Sequence, residues 1–575
     1  MQQLEMGMSY KILGINVGHD SGATLIDSVG RLSCINEERL SRKKMHLGFP
    51  HLAIDEVLAI QGVSISELSE IAIEGRTMTP QFDVGFDEKT SDWKKDFVNQ
   101  LGLDKLLLGS ELGLKLVRLG LTGKTAKVHA DIKNQFSDRG FKGKFTFVDH
   151  HECHAASAYF SQPHDEGLAI TIDASGEGYC AKVYRCKNNR MEELHRIPCY
   201  HSPAYYYAYV TQLAGFKPLR HEGKITGLAA FGDPNRCLPV FEKYISFDAK
   251  SLLFRNSGGY HHKAMANLSR DLNGASKEDI AAAVQTHTEN ITRAFVDAAI
   301  QKFNGGQATR VFLAGGLFAN VKLNQRISAS PLVKSLYVFP NMGDGGLNFG
   351  AAVAGGFASG NLTKRIEFSH LYLGRPFSDQ EIEEKLKAQG VSFRYSHNVA
   401  ADVAQLLHNK KVVARFVGPM EYGPRALGAR SIIYSPADKS VNTWLNQRLN
   451  RTEFMPFAPY VRDVDAHEYF RVVGETLPYQ FMTVTCDVSD KCKQLAPAIV
   501  HVDGTARPQI VRRDVNPSYY DILTEYEKLS GCGVLVNTSF NMHEEPIINT
   551  PDEAIETYKL GGLDVLAIGN FIVGG

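Results

Sequence analysis

YKILGINVGHDSGATLID, residues 10–27, and GLAITIDASGEGYCAKVY, residues 167–184, together decide the fold. Each is an apolar run, a turn containing Asp, Ser and Gly, and a second apolar run, the pattern of strand, turn, strand. The run before Gly18 is β-compatible and Ala23 to Ile26 resumes it after HDSG; likewise LAITID leads into ASGEG before YCAKVY resumes. Two such units in one chain predict a duplicated α/β fold of the kind that handles nucleotide phosphates. Between 310 and 360 the pattern changes. RVFLAGGLFANVKLNQRI reads as a buried strand, a glycine turn and a helix, and SLYVFPNMGDGGLNFGAAVAGGF follows it. Backbone N–H groups in such glycine turns and helix starts can cradle anions.

A chain of 575 residues is long enough for at least two cores. A second domain is predicted to begin within NLTKRIEFSHLYLGRPF, residues 361–377, with the division taken at 365/366. Hydrophobic content of 43%, charged content of 22% and 51 glycines fit an α/β enzyme. Lys plus Arg and Asp plus Glu balance at 63 each, so net charge gives no argument for a polyanion and no nucleic-acid partner is expected. Nine cysteines without any CxxC spacing argue against a disulfide framework and a thiolate zinc knuckle. The expected compartment is reducing and cytoplasmic. The start, MQQLEMGMSYKILGINV, lacks a basic region followed by a sustained apolar core. Leu101 to Leu121 is leucine-rich but carries Asp104, Lys105, Glu111, Lys115 and Arg118, so it is read as an amphipathic helix within an insertion, not a membrane span.

DHHECHAASAYF, residues 149–160, adds chemistry to this frame. His150 and His154 lie four apart in a helix-favouring segment, so one helical face presents both imidazoles to a single ion. Asp173 ends an apolar strand and Asp344 sits in a glycine turn that opens a helix. Two imidazoles and two carboxylates suit iron(II), manganese or zinc better than a thiolate-preferring ion. His151 and Cys153 point elsewhere on a helix and are given no metal role.

The ordered set GINVGHDSGATLI, NEERLSRKK, DHHECHAASAYF, ITIDASGEG, EGKITGLAAFG, AGGLFANVKLNQRI, GDGGLNFGAA, GPMEYGPRALGARSI, EFMPFAP, HVDGTARPQ and NTSFNMHEEPI resembles the NodU/CmcH/TobZ family of O-carbamoyltransferases over nearly the whole chain. GPRALGARS and NTSFN with EPI are specific by length and context, whereas either glycine turn alone would be weak. The resemblance implies an actin-like ATPase-fold domain for carbamoyl transfer over 1–365 and a YrdC-like α/β domain that forms carbamoyl adenylate over 366–575. ATP, with Mg2+, and carbamoyl phosphate are the implied co-substrates, iron(II) the favoured divalent metal, and the acceptor a hydroxyl on a small molecule such as an antibiotic or a sugar. A homodimer is also implied, and no membrane partner.

The resemblance assigns residues as well. Permanently charged guanidinium forks suit the gathering of several phosphates, a task that falls to Arg425, Arg430, Arg451 and Arg507, with Asn537, Ser539 and Asn541 beside the nucleotide. Gly315, Gly316 and Asn320 match the family's nucleotide-contacting turn, and Lys44 is a further contact to bound adenylate. His19 is the implied base for the acceptor hydroxyl, with Asp20 orienting it. Many relatives carry Lys before the position of Arg451 and Arg at the position of Met455; this chain has Asn450 and Met455, which leaves Arg448 and Arg451 to compensate. His221 and Lys224 fall in a family motif without a defined role. Competing readings are an actin-fold small-molecule kinase, a tRNA threonylcarbamoyladenosine-type modification protein and a nucleotide-binding regulatory module.

Overall fold

The computed structural model describes residues 10–77, 103–452 and 454–575. Of the leucine-rich stretch expected to form a helix within an insertion, residues 101 and 102 lie outside the described residues; beyond them the chain forms helices at Leu103–Leu108 and Glu111–Ser137. Two compact units result. One takes Met1–Asn16, Leu25–Arg31 and Val63–Glu367, the other Val17–Thr24, Leu32–Gly62 and Phe368–Gly575. The main division falls at 367/368, but the expectation of two continuous domains needs correction, because two N-terminal segments group with the C-terminal unit.

The N-terminal half uses one plan twice. Strands β1 (Lys11–Asn16), β2 (Gly22–Asp27), β3 (Leu32–Asn36), β4 (Glu70–Glu74) and β5 (Lys144–Val148) form a sheet of order β3-β2-β1-β4-β5. β1 pairs parallel with β4, and β4 with β5. A second sheet contains β6 (Gly167–Gly176), β7 (Tyr179–Lys187), β8 (Arg190–Pro198), β9 (Thr309–Ala314) and β10 (Val333–Val338) in the order β10-β9-β6-β7-β8. Here too the central strand has two parallel neighbours on one side, β9 and β10, and two strands consecutive in sequence on the other. The duplicated α/β plan is the one anticipated from the two strand-turn-strand units, and it agrees with the actin-like fold that the family resemblance implies.

Helices α1 (His150–Phe160) and α4 (Leu347–Ala358) pack in this unit with unusually small spacing; α2 (Lys277–Phe303) and α3 (Val321–Ser328) complete the helices used below. The α4 sequence LNFGAAVAGGFA explains that spacing. A Cβ added at Gly350 would stand 2.0 Å from the Cys153 carbonyl oxygen on α1, and one at Gly14 on β1 would stand 2.1 Å from the Asn348 carbonyl oxygen. Backbones meet where side chains would otherwise intervene. The chain from β5 enters α1, and the chain from β10 enters α4, so the first turns of both helices follow the carboxyl ends of parallel strands, the usual ligand-binding edge of an α/β sheet.

The C-terminal unit is built on eight strands: β11 (Phe393–Tyr395), β12 (Val413–Phe416), β13 (Arg430–Tyr434), β14 (Ala458–Arg462), β15 (Gln509–Val511), β16 (Val534–Ser539), β17 (Val565–Ile568) and β18 (Phe571–Gly574). Their order is β11-β18-β17-β12-β13-β16-β14-β15. The registers matter for function. Ser431 pairs with Ser539, Ala458 with Asn537, and Tyr460 with Gln509. The motifs GPRALGARS, EFMPFAP, TARPQ and NTSFN therefore arrive at the same end of one sheet. Among the described residues, no helix is long and apolar enough to cross a membrane.

The small-residue packing is directly testable. Gly350→Ala should lower stability by about 1–3 kcal/mol, because a methyl group there forces α1 and α4 apart. Gly223→Ala, in a helix with open space around the added carbon, should be neutral or gain up to about 1 kcal/mol. Urea midpoints measured side by side decide it: equal midpoints for wild type and Gly350→Ala would contradict the packing argument.

Candidate functional site

Asp149 caps α1, its carboxylate accepting the Glu152 N–H at 3.0 Å and the Lys182 ammonium at 2.9 Å. The helix then presents His150 and His154 one turn apart, with ring centroids 4.8 Å from each other. Asp173 lies near the end of β6, and Asp344 opens the short turn Asp344–Gly346 that leads into α4. His154 Nε2 is 3.3 Å from Asp173 Oδ2 and 3.5 Å from Asp344 Oδ1, and His150 Nε2 is 3.7 Å from Asp344 Oδ1. One donor atom from each of these four residues lies within 4.8 Å of the others.

The surroundings hold these donors in place. Glu74, at the end of β4, lies 3.0 Å from His150 Nδ1, which aims Nε2 at the cluster. A Cβ at Gly176 would stand 2.0 Å from the His150 ring, so only glycine allows the imidazole that position. The Asp344 carbonyl accepts the Asn16 amide at 3.0 Å, and Asp173 accepts backbone N–H groups from Ala174 at 2.6 Å and Gly316 at 2.8 Å. Glu74, Gly176 and Asn16 were not singled out from sequence; their roles depend on strands distant along the chain.

Burial disfavours an imidazolium, but Asp344, Glu74 and Asp173 outweigh it and push His150 up to about 10. His154 is raised too, burial being opposed by Asp173 and Asp344. Asp173 moves down despite its burial because of these imidazoles. Yet His150 Nε2 and both nitrogens of His154 are buried and make no hydrogen bond. The two Nε2 atoms, lacking hydrogen-bond partners beside two carboxylates, fit a divalent ion, whose ligands at about 2.0–2.2 Å fall within such a spread after small adjustments. His151 contrasts with them: it is 2.8 Å from Thr171 Oγ1 and 3.0 Å from the Tyr179 carbonyl, and burial pushes it down to about 3.

The glycine turn after β9 differs in detail from its sequence reading. Gly315 has φ 110°, and a Cβ there would stand 2.3 Å from the Ile172 carbonyl oxygen, so its missing side chain admits β6. Gly316 faces the Asp173 carboxylate. The Asn320 side chain caps α3 through the Leu323 N–H at 3.1 Å and pairs with Gln285 on α2 at 2.8 Å. Its amide is held by the protein itself. Lys224 is buried with its ammonium over the Phe216 ring, and His221 Nδ1 accepts the Lys217 N–H at 3.1 Å.

In the C-terminal unit, hydrogen bonds tie the motif segments together. The Asn537 amide donates to the Ala426 carbonyl at 3.1 Å and to Gln509 Oε1 at 3.0 Å, while Gln509 donates to the Leu427 carbonyl at 2.8 Å. This links the loop of Arg425, the strand that follows Arg507 and the end of β16. Arg425, Arg507 and Ser539 are half-buried. Arg451 donates to Thr538 Oγ1 at 2.9 Å and to the carbonyls of Ser539 at 2.7 Å and Asn541 at 2.6 Å, with Asn541 Oδ1 also at 3.0 Å. Thus Arg451 shapes the NTSFN loop.

Arg430 is not the open fork expected. It is fully buried, its Nη1 donates to the Val417, Gly418 and Ala429 carbonyls, and its guanidinium stacks 3.6 Å from the Phe416 ring centre; burial pulls it down to about 10. Arg448 also departs from expectation, being 3.8 Å from Asp564 and over Trp444. Asn450 is exposed with φ 55°, and Met455 is half-buried.

His19, Asp20 and Lys44 fall in segments that group with the C-terminal unit, not with the N-terminal domain to which the sequence reading gave them. All three are half-buried; Asp20 has φ 54° and its carboxylate is 3.6 Å from His19 Nδ1. The motif NEERLSRKK has a further use that its composition does not reveal. Arg39 Nη2 donates to the Gly423 carbonyl at 2.6 Å, and Arg42 donates to the carbonyls of Ile547 at 2.8 Å and Pro546 at 2.9 Å.

The chain matches the family models described as Carbamoyltransferase N-terminus over residues 11–353 and Carbamoyltransferase C-terminus over residues 404–574. Nodulation protein NolNO from Sinorhizobium fredii is 27% identical, covering 96% of this chain and 79% of the relative. Nodulation protein NolO from Bradyrhizobium diazoefficiens is 30% identical over 74% of this chain and 78% of its own length. Among solved structures, the (R)-2-hydroxyglutaryl-CoA dehydratase component A of Acidaminococcus fermentans is 15% identical with a TM-score of 0.33, covering 60% of this chain and 97% of that one.

The donor cluster generates a graded prediction. After anaerobic loading with iron(II) and desalting, elemental analysis should find no retained metal in His154→Ala. Glu74→Gln should bind it roughly 10–100-fold more weakly than wild type. Undiminished metal in His154→Ala would remove the four-residue assignment.

Proposed function

Because the chain belongs to the carbamoyltransferase family, we propose that it forms carbamoyl adenylate from carbamoyl phosphate and ATP and transfers the carbamoyl group to a hydroxyl of a small-molecule acceptor. The observation that carries this reading is the meeting of GPRALGARS, TARPQ and NTSFN at one end of the C-terminal sheet, where Arg425 and Arg507 remain half-buried rather than internal. Half-buried guanidinium groups with their loops tied by hydrogen bonds can meet phosphate oxygens in a fixed geometry.

The chemistry balances in three steps. Water cleaves carbamoyl phosphate to carbamate and inorganic phosphate. A carbamate oxygen attacks the α-phosphorus of ATP and displaces pyrophosphate, giving the mixed anhydride. The acceptor oxygen then attacks the carbamoyl carbon, AMP departs with the bond electrons, and the acceptor proton passes to a base. His19 is the proposed base, with Asp20 beside it; an imidazole suits this task at neutral pH. Arg425 and Arg507 neutralise phosphate charge, and Arg451 with Asn541 maintains the adjoining loop. His150, His154, Asp173 and Asp344 would hold a divalent ion, iron(II) by preference, which would supply Lewis-acid charge for the acyl transfer, and Mg2+ would accompany ATP. The proposed acceptor class is a natural product or sugar.

Replacing Arg425 separates the half-reactions. Arg425→Ala should lose roughly 100-fold or more in adenylate formation, since no other side chain reproduces a permanently charged planar fork. Supplying synthetic carbamoyl adenylate should restore acceptor modification. A variant that makes the adenylate at the wild-type rate would withdraw this role from Arg425.

A further inference from the structure

The segment between β12 and β13 carries a buried carboxylate that the chemistry above does not use. Glu421 is 2% exposed, and its Oε1 accepts three backbone N–H groups: Leu427 at 2.9 Å, Ala429 at 2.7 Å and Arg430 at 3.0 Å. Successive N–H groups converging on one point form the type of nest that binds phosphate in other loops. Here an internal carboxylate occupies it. A glycine-rich phosphate loop would leave those donors to the substrate; this one does not, and the phosphate charge falls to side chains.

The other face of the same turn is fixed as closely. The Ala426 carbonyl accepts Asn537, the Leu427 carbonyl accepts Gln509 and the Tyr372 hydroxyl, and the Gly428 carbonyl accepts Arg415 at 2.7 Å. On the other side of Arg425, the Gly423 carbonyl accepts Arg39. Gly428 has φ 109°, and a Cβ there would stand 2.2 Å from the Tyr519 ring, so the turn has no room to relax around a lost contact. Arg425 is thus a half-buried side chain on a peptide pinned before and after it.

We infer that Glu421 is a positioning residue for the activation half-reaction: as an internal anion it folds the 423–430 turn and thereby aims Arg425. This rests on the proposed adenylate chemistry and adds to it the reason the loop holds one shape. Removing the carboxylate leaves three buried N–H groups without an acceptor, a heavy penalty for a turn of this size. Gln in its place keeps an acceptor oxygen for these N–H groups, loses the charge, and puts an NH2 group where Oε2 is buried without a hydrogen-bond partner.

The test uses the full chain. Carbamoyl adenylate formed from ATP and carbamoyl phosphate is quantified by mass spectrometry for wild type, Glu421→Gln and Glu421→Ala. The same proteins are assayed for transfer from supplied carbamoyl adenylate, and for hydrogen exchange of the peptide spanning 423–431. Glu421→Ala should lose roughly 100-fold in adenylate formation with a raised KM for carbamoyl phosphate, exchange faster across that peptide, and keep transfer within about twofold of wild type. Glu421→Gln should fall between. Wild-type adenylate rates in Glu421→Ala, or equal losses in both half-reactions, would overturn the positioning role. If wild type itself formed no adenylate, the activation reading would fall and the role of Glu421 with it, an outcome distinct from a competent wild type with an indifferent Glu421→Ala.

Discussion

The close approach of α1 to α4 governs what the N-terminal unit can do. At Gly350 the two helices meet backbone to backbone, with a Cβ excluded by the Cys153 carbonyl. Any larger residue would force them apart. That separation would act on chemistry at once, because Asp344 enters from the α4 side and must lie 3.5–3.7 Å from imidazoles that enter from α1. Gly14 and Gly176 extend the same rule to β1 and to the His150 ring. Small residues here serve proximity, and the packing of two helices becomes the geometry of four donor atoms.

The C-terminal unit meets a different demand: long loops rich in polar groups must be rigid. Its answer is to satisfy backbone groups with buried and half-buried charged side chains. Glu421 gathers N–H groups, while Arg39, Arg42, Arg415, Arg430 and Arg451 gather carbonyls. A buried peptide group left unpaired costs on the order of 1–3 kcal/mol, so a dozen satisfied groups define one loop shape strongly. Cations engaged in this way are framework. Arg425 and Arg507, both half-buried, are the ones proposed to meet substrate.

Much of this was legible in the sequence. The two strand-turn-strand units gave the duplicated sheets because apolar alternation and turn residues are local properties. His150 and His154 could be paired from helical spacing alone, and Asp173 and Asp344 from their places at a strand end and a glycine turn. Burial of the arginines was not readable, since Arg430 and Arg425 share one motif yet the first is fully buried and the second half-buried. The discontinuous grouping of 17–24 and 32–62 was equally hidden, because it depends on contacts hundreds of residues apart such as Arg39 with Gly423. The close approach of β6 to Gly315 was hidden for a related reason: which backbone a glycine admits depends on strands distant along the chain.

Activation through a mixed anhydride is the chemical centre of the account, and its reversibility offers the most direct measurement. Radiolabelled pyrophosphate is incubated with the wild-type chain, ATP and carbamoyl phosphate in the absence of any acceptor. Reversal of the adenylation step should move label into ATP, only when carbamoyl phosphate is present, with AMP as the nucleotide product once an acceptor is added. Label that never enters ATP, together with accumulation of ADP, would contradict the account and identify a phosphoryl-transferring enzyme instead.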